Sequence, residues 1–97
     1  MWWKTKEYEF IFRGCSSIKD VHNYVSDINN CKFCNNGSFY LKLKNIPIKQ
    51  KDFCTAVIKV EFKEGLKSKK KFRRMINCSF CNKDRGVLVL KRKSLLF

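Results

Sequence analysis

Asn30-Cys31-Lys32-Phe33-Cys34-Asn35 returns almost intact as Asn77-Cys78-Ser79-Phe80-Cys81-Asn82. Each copy is followed by a polar turn with a glycine, Gly37 or Gly86, and then by an apolar run ending in basic residues. The first run is Ser38-Phe39-Tyr40-Leu41-Lys42-Leu43, before Lys44; the second is Val87-Leu88-Val89-Leu90, before Lys91-Arg92-Lys93. Thiolates two residues apart on a tight turn can both face one ion, with backbone amides of the turn directed at the sulfurs. Two such turns close a tetrahedron. The doubled motif therefore predicts two hairpin-like hooks that each supply half of a four-thiolate site.

The expected ligands are Cys31, Cys34, Cys78 and Cys81, and the expected ion is Zn2+, one per chain. An iron–sulfur cluster could use the same four ligands, but nothing else in the chain suggests electron transfer. A thioredoxin-like redox role is weaker still, because neither hook opens a helix in a βαβ context. Cys15 and Cys54 are left over and are expected to be buried free thiols acting as small hydrophobes.

Working outward, Tyr8, Phe10 and Phe12 alternate along a half-buried strand that Gly14 ends. Ser16 and Ser17 offer an N-cap, with Asp20 three residues after Ser17, close to a capping box. Ile18, Val21, Val25 and Ile28 then fall at helical spacing, so an amphipathic helix is expected over about 17–29. After the first hook, Phe39, Leu41 and Leu43 share one strand face, and Asn45-Ile46-Pro47 makes a turn. A longer strand runs from about Phe53 to Phe62, with Cys54, Ala56, Ile58, Val60 and Phe62 on its apolar face. Glu64-Gly65 begins a turn, the basic run that follows is expected at the tip of a hairpin, and Met75-Ile76 re-enters the core. The expected fold is one α+β domain over 1–97: a small, mostly antiparallel sheet with one N-terminal helix, stapled by the four-cysteine zinc site. At 97 residues a single hydrophobic core is marginal, and a metal staple would help.

The chain has 22 Lys plus Arg against eight Asp plus Glu, a net charge of +14. Through Asn30 the charges balance, so the whole surplus lies from Cys31 onward. A domain this basic usually meets a polyanion, most often nucleic acid. The densest stretch, Lys63 to Arg74, holds seven basic residues and one acid, Glu64. Lys67, Lys69, Lys70, Lys71, Arg73 and Arg74 are the expected main phosphate contacts. Lys42, Lys44, Arg85, Lys91, Arg92 and Lys93 support them. Phe72 within the run is expected to pack inward rather than stack on a base. His22 reads as a helix-surface or core-edge residue, and one histidine without an acid partner leaves hydrolytic chemistry without parts. No enzyme activity and no small-molecule substrate are expected. Trp2 and Trp3 either cover a core edge or anchor a partner, and Leu95-Leu96-Phe97 is an apolar end that calls for burial. The first residues lack a signal-peptide pattern and no apolar run reaches spanning length, which predicts an intracellular, cytoplasmic protein without a membrane partner.

Over residues 30–44 and 77–92 the paired hooks with return strands resemble the zinc-ribbon and zinc-knuckle class. That resemblance implies zinc on the four named cysteines. Small, very basic four-cysteine zinc proteins also occur among ribosomal proteins. The resemblance thus implies a structural rRNA-binding role, in contact with RNA and with neighbouring proteins of a larger assembly. A transcription-associated zinc ribbon, cellular or viral, is the alternative. A small protein-interaction or inhibitor module using Trp2 and Trp3 is the reading from a different class.

Overall fold

The structure is a computed structural model that describes residues 2–91, without the side chains of Trp2, Trp3, Leu66 and Lys91. Arg92, Lys93 and the apolar end Leu95-Leu96-Phe97 lie outside the described residues. So do the indoles of Trp2 and Trp3.

Period-two alternation decides the strands. They are β1 (Trp2–Arg13), β2 (Phe39–Leu43), the short β3 (Ile48–Lys49), β4 (Phe53–Lys63) and β5 (Val87–Lys91). All pair antiparallel in one sheet of order β2-β4-β1-β5, with β3 beside the first part of β4. The central β1–β4 ladder sets Phe10 opposite Ala56, Tyr8 opposite Ile58 and Phe12 opposite Cys54. One face of the sheet is therefore a continuous apolar surface, on which Phe10, Phe39, Leu41, Ile58, Val60 and Phe62 are fully buried. Each such side chain contributes about 1.5–3 kcal/mol on leaving water. The opposite face carries Glu7, Glu9, Tyr40, Lys42, Lys59 and Glu61, as the alternation predicts.

Helix α1 (Ile18–Asn29) begins where its capping residues place it. Asp20 Oδ2 accepts from the Ser16 N–H at 3.0 Å, the Ser16 hydroxyl at 2.9 Å and the Ser17 N–H at 3.2 Å. These bonds satisfy donors at a helix start and hold the Asp20 carboxyl below its ordinary pKa. The stripe of Val21, Tyr24 and Ile28 is buried, and the Tyr24 ring meets Phe10 and Phe12 at 5.9 and 5.1 Å between centroids.

The second half corrects the sequence reading. Residues Leu66–Asn77 form a second helix, α2, rather than the tip and returning arm of a basic hairpin. The single expected helix is thus two. The reason lies in spacing: Ser68, Phe72 and Met75 are buried and Ile76 half-buried, a one-sided helical stripe within a run of lysines, arginines and methionine that favour helix. Phe72 does pack inward at 2% exposure, against Tyr8, Phe39 and Phe62 with centroids 4.9–5.5 Å away. Both helices thus cover the same face of the sheet.

Cys15 and Cys54 are also corrected. They form a disulfide, with Cα atoms 5.8 Å apart, rather than two free thiols. Cys15 lies two residues past the end of β1 and Cys54 sits in β4 opposite Phe12, so the pairing depends on the sheet register.

The order β1-α1-hook-β2 is repeated as β4-α2-hook-β5. The sheet interleaves the two units: each central strand is flanked by the other unit's last strand. What reads in sequence as a repeated hook is one corner of a repeated half-domain.

Candidate metal centre and nucleic-acid interface

Each hook follows the last turn of its helix. Cys31 N–H donates to Ile28 O and Cys78 N–H to Met75 O, so both chains leave the helix the same way. The chain then turns back through Cys31 O, which accepts from the amides of Asn35 and Asn36, and Cys78 O, which accepts from those of Asn82 and Lys83. The second hook is a wide π-type turn, Ser79–Lys83.

The asparagine that closes each motif ties the hook down. Asn35 and Asn82 are both fully buried. Asn35 Nδ2 donates to Ile28 O at 3.0 Å while its Oδ1 accepts from the Phe39 amide at 2.9 Å. Asn82 Nδ2 donates to Ile76 O at 3.2 Å, and its Oδ1 accepts from the Tyr24 hydroxyl. Asn35 thus links the end of α1 and its hook to β2, whereas Asn82 links the end of α2 and its hook across to Tyr24 of α1. Nothing in the sequence pattern singles out these roles, although both asparagines stand inside the repeat.

The hooks bring the sulfurs of Cys31, Cys34 and Cys81 within 4.8 Å of one another, a group that could hold a metal ion. Cys34 and Cys81 lie 3.5 Å apart, near the roughly 3.8 Å that a tetrahedral zinc thiolate site sets between sulfurs. The Cys78 thiol lies outside that group but interacts with both Cys34 and Cys81. The amides point at sulfur as the spacing predicts: Cys34 N–H donates to Cys31 Sγ at 3.3 Å. Burial raises the Cys31 pKa, yet the amides of Cys34 and Phe33 together with neighbouring thiols bring it below its ordinary value. The amide of Cys81 leads the causes that lower Cys78, against a smaller opposing effect of burial. Cys34 and Cys81, the second cysteine of each hook, are raised, first by burial. Each hook therefore pairs a partly covered cysteine whose pKa is lowered with a buried one whose pKa is raised.

The six expected phosphate contacts lie together along α2. Lys67, Lys70, Arg73 and Arg74 are exposed; Lys69 and Lys71 are partly covered. Lys69 holds its proton less tightly than usual, first through desolvation and then through repulsion from Lys4, Lys6 and Arg73. The positive surface thus extends from α2 onto the start of β1, through two lysines that the charge pattern does not flag because they lie in the neutral N-terminal part.

The supporting set divides. Lys42 is exposed on the outer sheet face. Lys44 forms an ion pair with Glu7 at 2.9 Å. Arg85 pairs with Asp27 at 3.0 Å and lies over the Tyr24 ring at 5.1 Å. Lys44 and Arg85 are therefore internal ties between elements, and only the backbone of Lys91 is described. Lys42, Lys44 and Arg85 stand on other elements than α2 and do not extend its face.

His22 is exposed on α1, as expected, and borders a shallow hollow with Leu43 and Pro47. No helix among the described residues is long and apolar enough to cross a membrane. No protein-family model, curated protein or solved structure matches this chain.

Proposed function

We propose that this chain is a non-enzymatic, zinc-stabilised nucleic-acid-binding protein. In this reading Cys31, Cys34, Cys78 and Cys81 hold one zinc between the two half-domains, as the resemblance to zinc ribbons implies. The sulfur spacing and the amides directed at sulfur support it, because both suit thiolate ligation. The Cys78 side chain would need only a local adjustment to join the other three. Bound zinc would supply no reaction here. It would add its binding free energy to folding, since the unfolded chain has no preformed site.

The observation that carries the binding role is α2. A helix with six basic residues, no acidic one and a buried apolar stripe is a rigid cationic rod. Its start also lacks a side-chain cap and an acid in the first turn, so its positive end is left to an outside anion. Phosphate contacts of this kind position a protein without reading sequence. RNA, recognised by shape, is the proposed ligand, and a ribosomal assembly the proposed setting.

The test is equilibrium binding of the purified chain to an RNA hairpin and to a DNA duplex of equal length, from 50 to 200 mM salt. The expected outcome is affinity that falls linearly on a log–log plot, with a slope near the number of phosphates neutralised. RNA should outcompete DNA. Absence of binding at low salt, or binding indifferent to salt, overturns the proposal. Co-purification with ribosomal subunits from the source would establish the setting, whereas recovery with a polymerase would favour the transcription alternative.

A further inference from the structure

Phe33 and Phe80 occupy the same place in the two hooks, and both rings stand in solvent, 90% and 83% exposed. Phenylalanine is among the residues most often buried, and every described Phe other than these two and Phe53 is buried. The hook does not need the rings for its own geometry: the turns close through backbone amides on sulfur and through Asn35 and Asn82. Two exposed rings at equivalent positions therefore point outward to a ligand.

Their surroundings identify its chemistry. A groove of about 320 Å³ is lined by Phe33, Cys34, Arg74 and Cys78. It runs from the first hook to the second and reaches the basic face of α2. That size is at the small end of ligand pockets. Its sulfurs are those of Cys34 and Cys78, taken up by the proposed zinc, so what the groove offers a ligand is a flat apolar ring and a guanidinium, while exposed Lys32 and Lys83 lie in the same two turns. A ligand that is planar and apolar on its faces, and anionic along its length, complements all of these groups. A stretch of unpaired nucleotides has this form.

We propose that the hook tips form a base-stacking site for single-stranded nucleic acid. One unpaired base lies on Phe33 in the groove with Arg74 on its phosphate, and a neighbouring base lies on Phe80. This rests on the nucleic-acid reading of α2 and adds to it: the helix holds the backbone, and the hooks select for bases that are free to stack. A duplex keeps its bases paired and gives the rings nothing to stack on.

The test uses the metal-loaded chain with a short single-stranded oligouridylate carrying one 2-aminopurine, and with a blunt duplex. Stacking on an aromatic ring quenches the 2-aminopurine fluorescence. Phe33→Ala and Phe80→Ala should each weaken single-strand binding about fivefold to a hundredfold, abolish part of the quenching and leave duplex binding unchanged. Phe33→Trp should restore both. Because the rings are exposed, unchanged circular dichroism is expected for every variant. If the variants bind single strands like the parent while salt-dependent duplex binding persists, the stacking site is overturned and the role of α2 stands. If neither nucleic acid binds, both fall.

Discussion

The two half-domains share one plan and present opposite surfaces. α1 carries Asp20 and Asp27 against a single lysine, Lys19, and its start is closed by its own carboxylate. α2 carries six basic residues, no acid and no side-chain cap. Yet each helix ends in the same hook, each hook is tied by a buried asparagine, and each return strand joins the other unit's central strand. The shared parts fold the chain and carry the proposed metal and stacking sites, whereas the charge that differs is proposed to hold the nucleic-acid backbone. On this account α2 engages the backbone, and the hooks of both halves engage the bases.

The comparison breaks most visibly at the cysteines, where the halves meet. Cys81→Ser removes a buried thiol, a proposed zinc ligand, that lies 3.5 Å from Cys34. It should remove the bound metal and leave the chain largely unfolded, because structural zinc contributes about 10–16 kcal/mol in small domains. Metal content and circular dichroism check this. A folded, metal-loaded Cys81→Ser chain would separate the hooks from the fold.

Charge reversal sharpens the comparison next. Lys70→Glu, Arg73→Glu and Arg74→Glu together, all on the exposed side of α2, should cut affinity steeply. The salt slope should fall by about one for each phosphate that is no longer neutralised. Lys19→Glu on α1 should change neither beyond the small effect of net charge. Equal effects from both helices would show that only total charge matters.

A smaller contrast concerns the two hook glycines. Gly37 and Gly86 both have positive φ, +75° and +69°, but only Gly86 is hemmed in: a Cβ there would sit 2.9 Å from the Arg13 carbonyl oxygen. That carbonyl belongs to the residue whose amide donates to Gly86 O at 2.8 Å. Gly37→Ala should cost about 1 kcal/mol for the left-handed backbone alone. Gly86→Ala should cost distinctly more, read from denaturant midpoints.

The smallest effect is expected at Asp20. Its carboxyl pKa is depressed in the folded chain by the Ser16 amide, then by the Ser16 hydroxyl and the Ser17 amide. A depressed carboxylate contributes stability at pH values above its unfolded pKa, and that contribution is lost as pH falls through the folded value. Asp20→Asn should therefore flatten the loss of stability below about pH 3.8 and leave neutral-pH binding unchanged.

Much of this architecture is legible in the sequence because its signals are local. Alternation places β2, β4 and the second half of β1, which begins earlier, at Trp2, than its alternating stretch from Glu7; an apolar run places β5, and the capping residues place the start of α1. The hooks carry their geometry in their spacing, including the amides directed at sulfur. α2 escapes because its apolar stripe is short and includes Ser68, while the lysines between the buried positions look like a loop. The Cys15–Cys54 pair escapes for a different reason: its partners are 39 residues apart and meet only through the β1–β4 register. Lys44 and Arg85 look like free cations in sequence because their partners, Glu7 and Asp27, lie on elements distant along the chain. The exposed rings of Phe33 and Phe80 do have a sequence signal, an aromatic at the same place in both hooks. Exposure itself, however, is a property of the fold.

The central claim is that one metal joins the two half-domains through a thiolate pair from each. X-ray absorption at the zinc edge, with metal stoichiometry on the same sample, tests it most directly. The account predicts one zinc per chain with four sulfur neighbours at about 2.3 Å, and a lost zinc signal in Cys34→Ser and Cys81→Ser alike. A metal-free folded chain, or a zinc held by the cysteines of one hook alone, would contradict it.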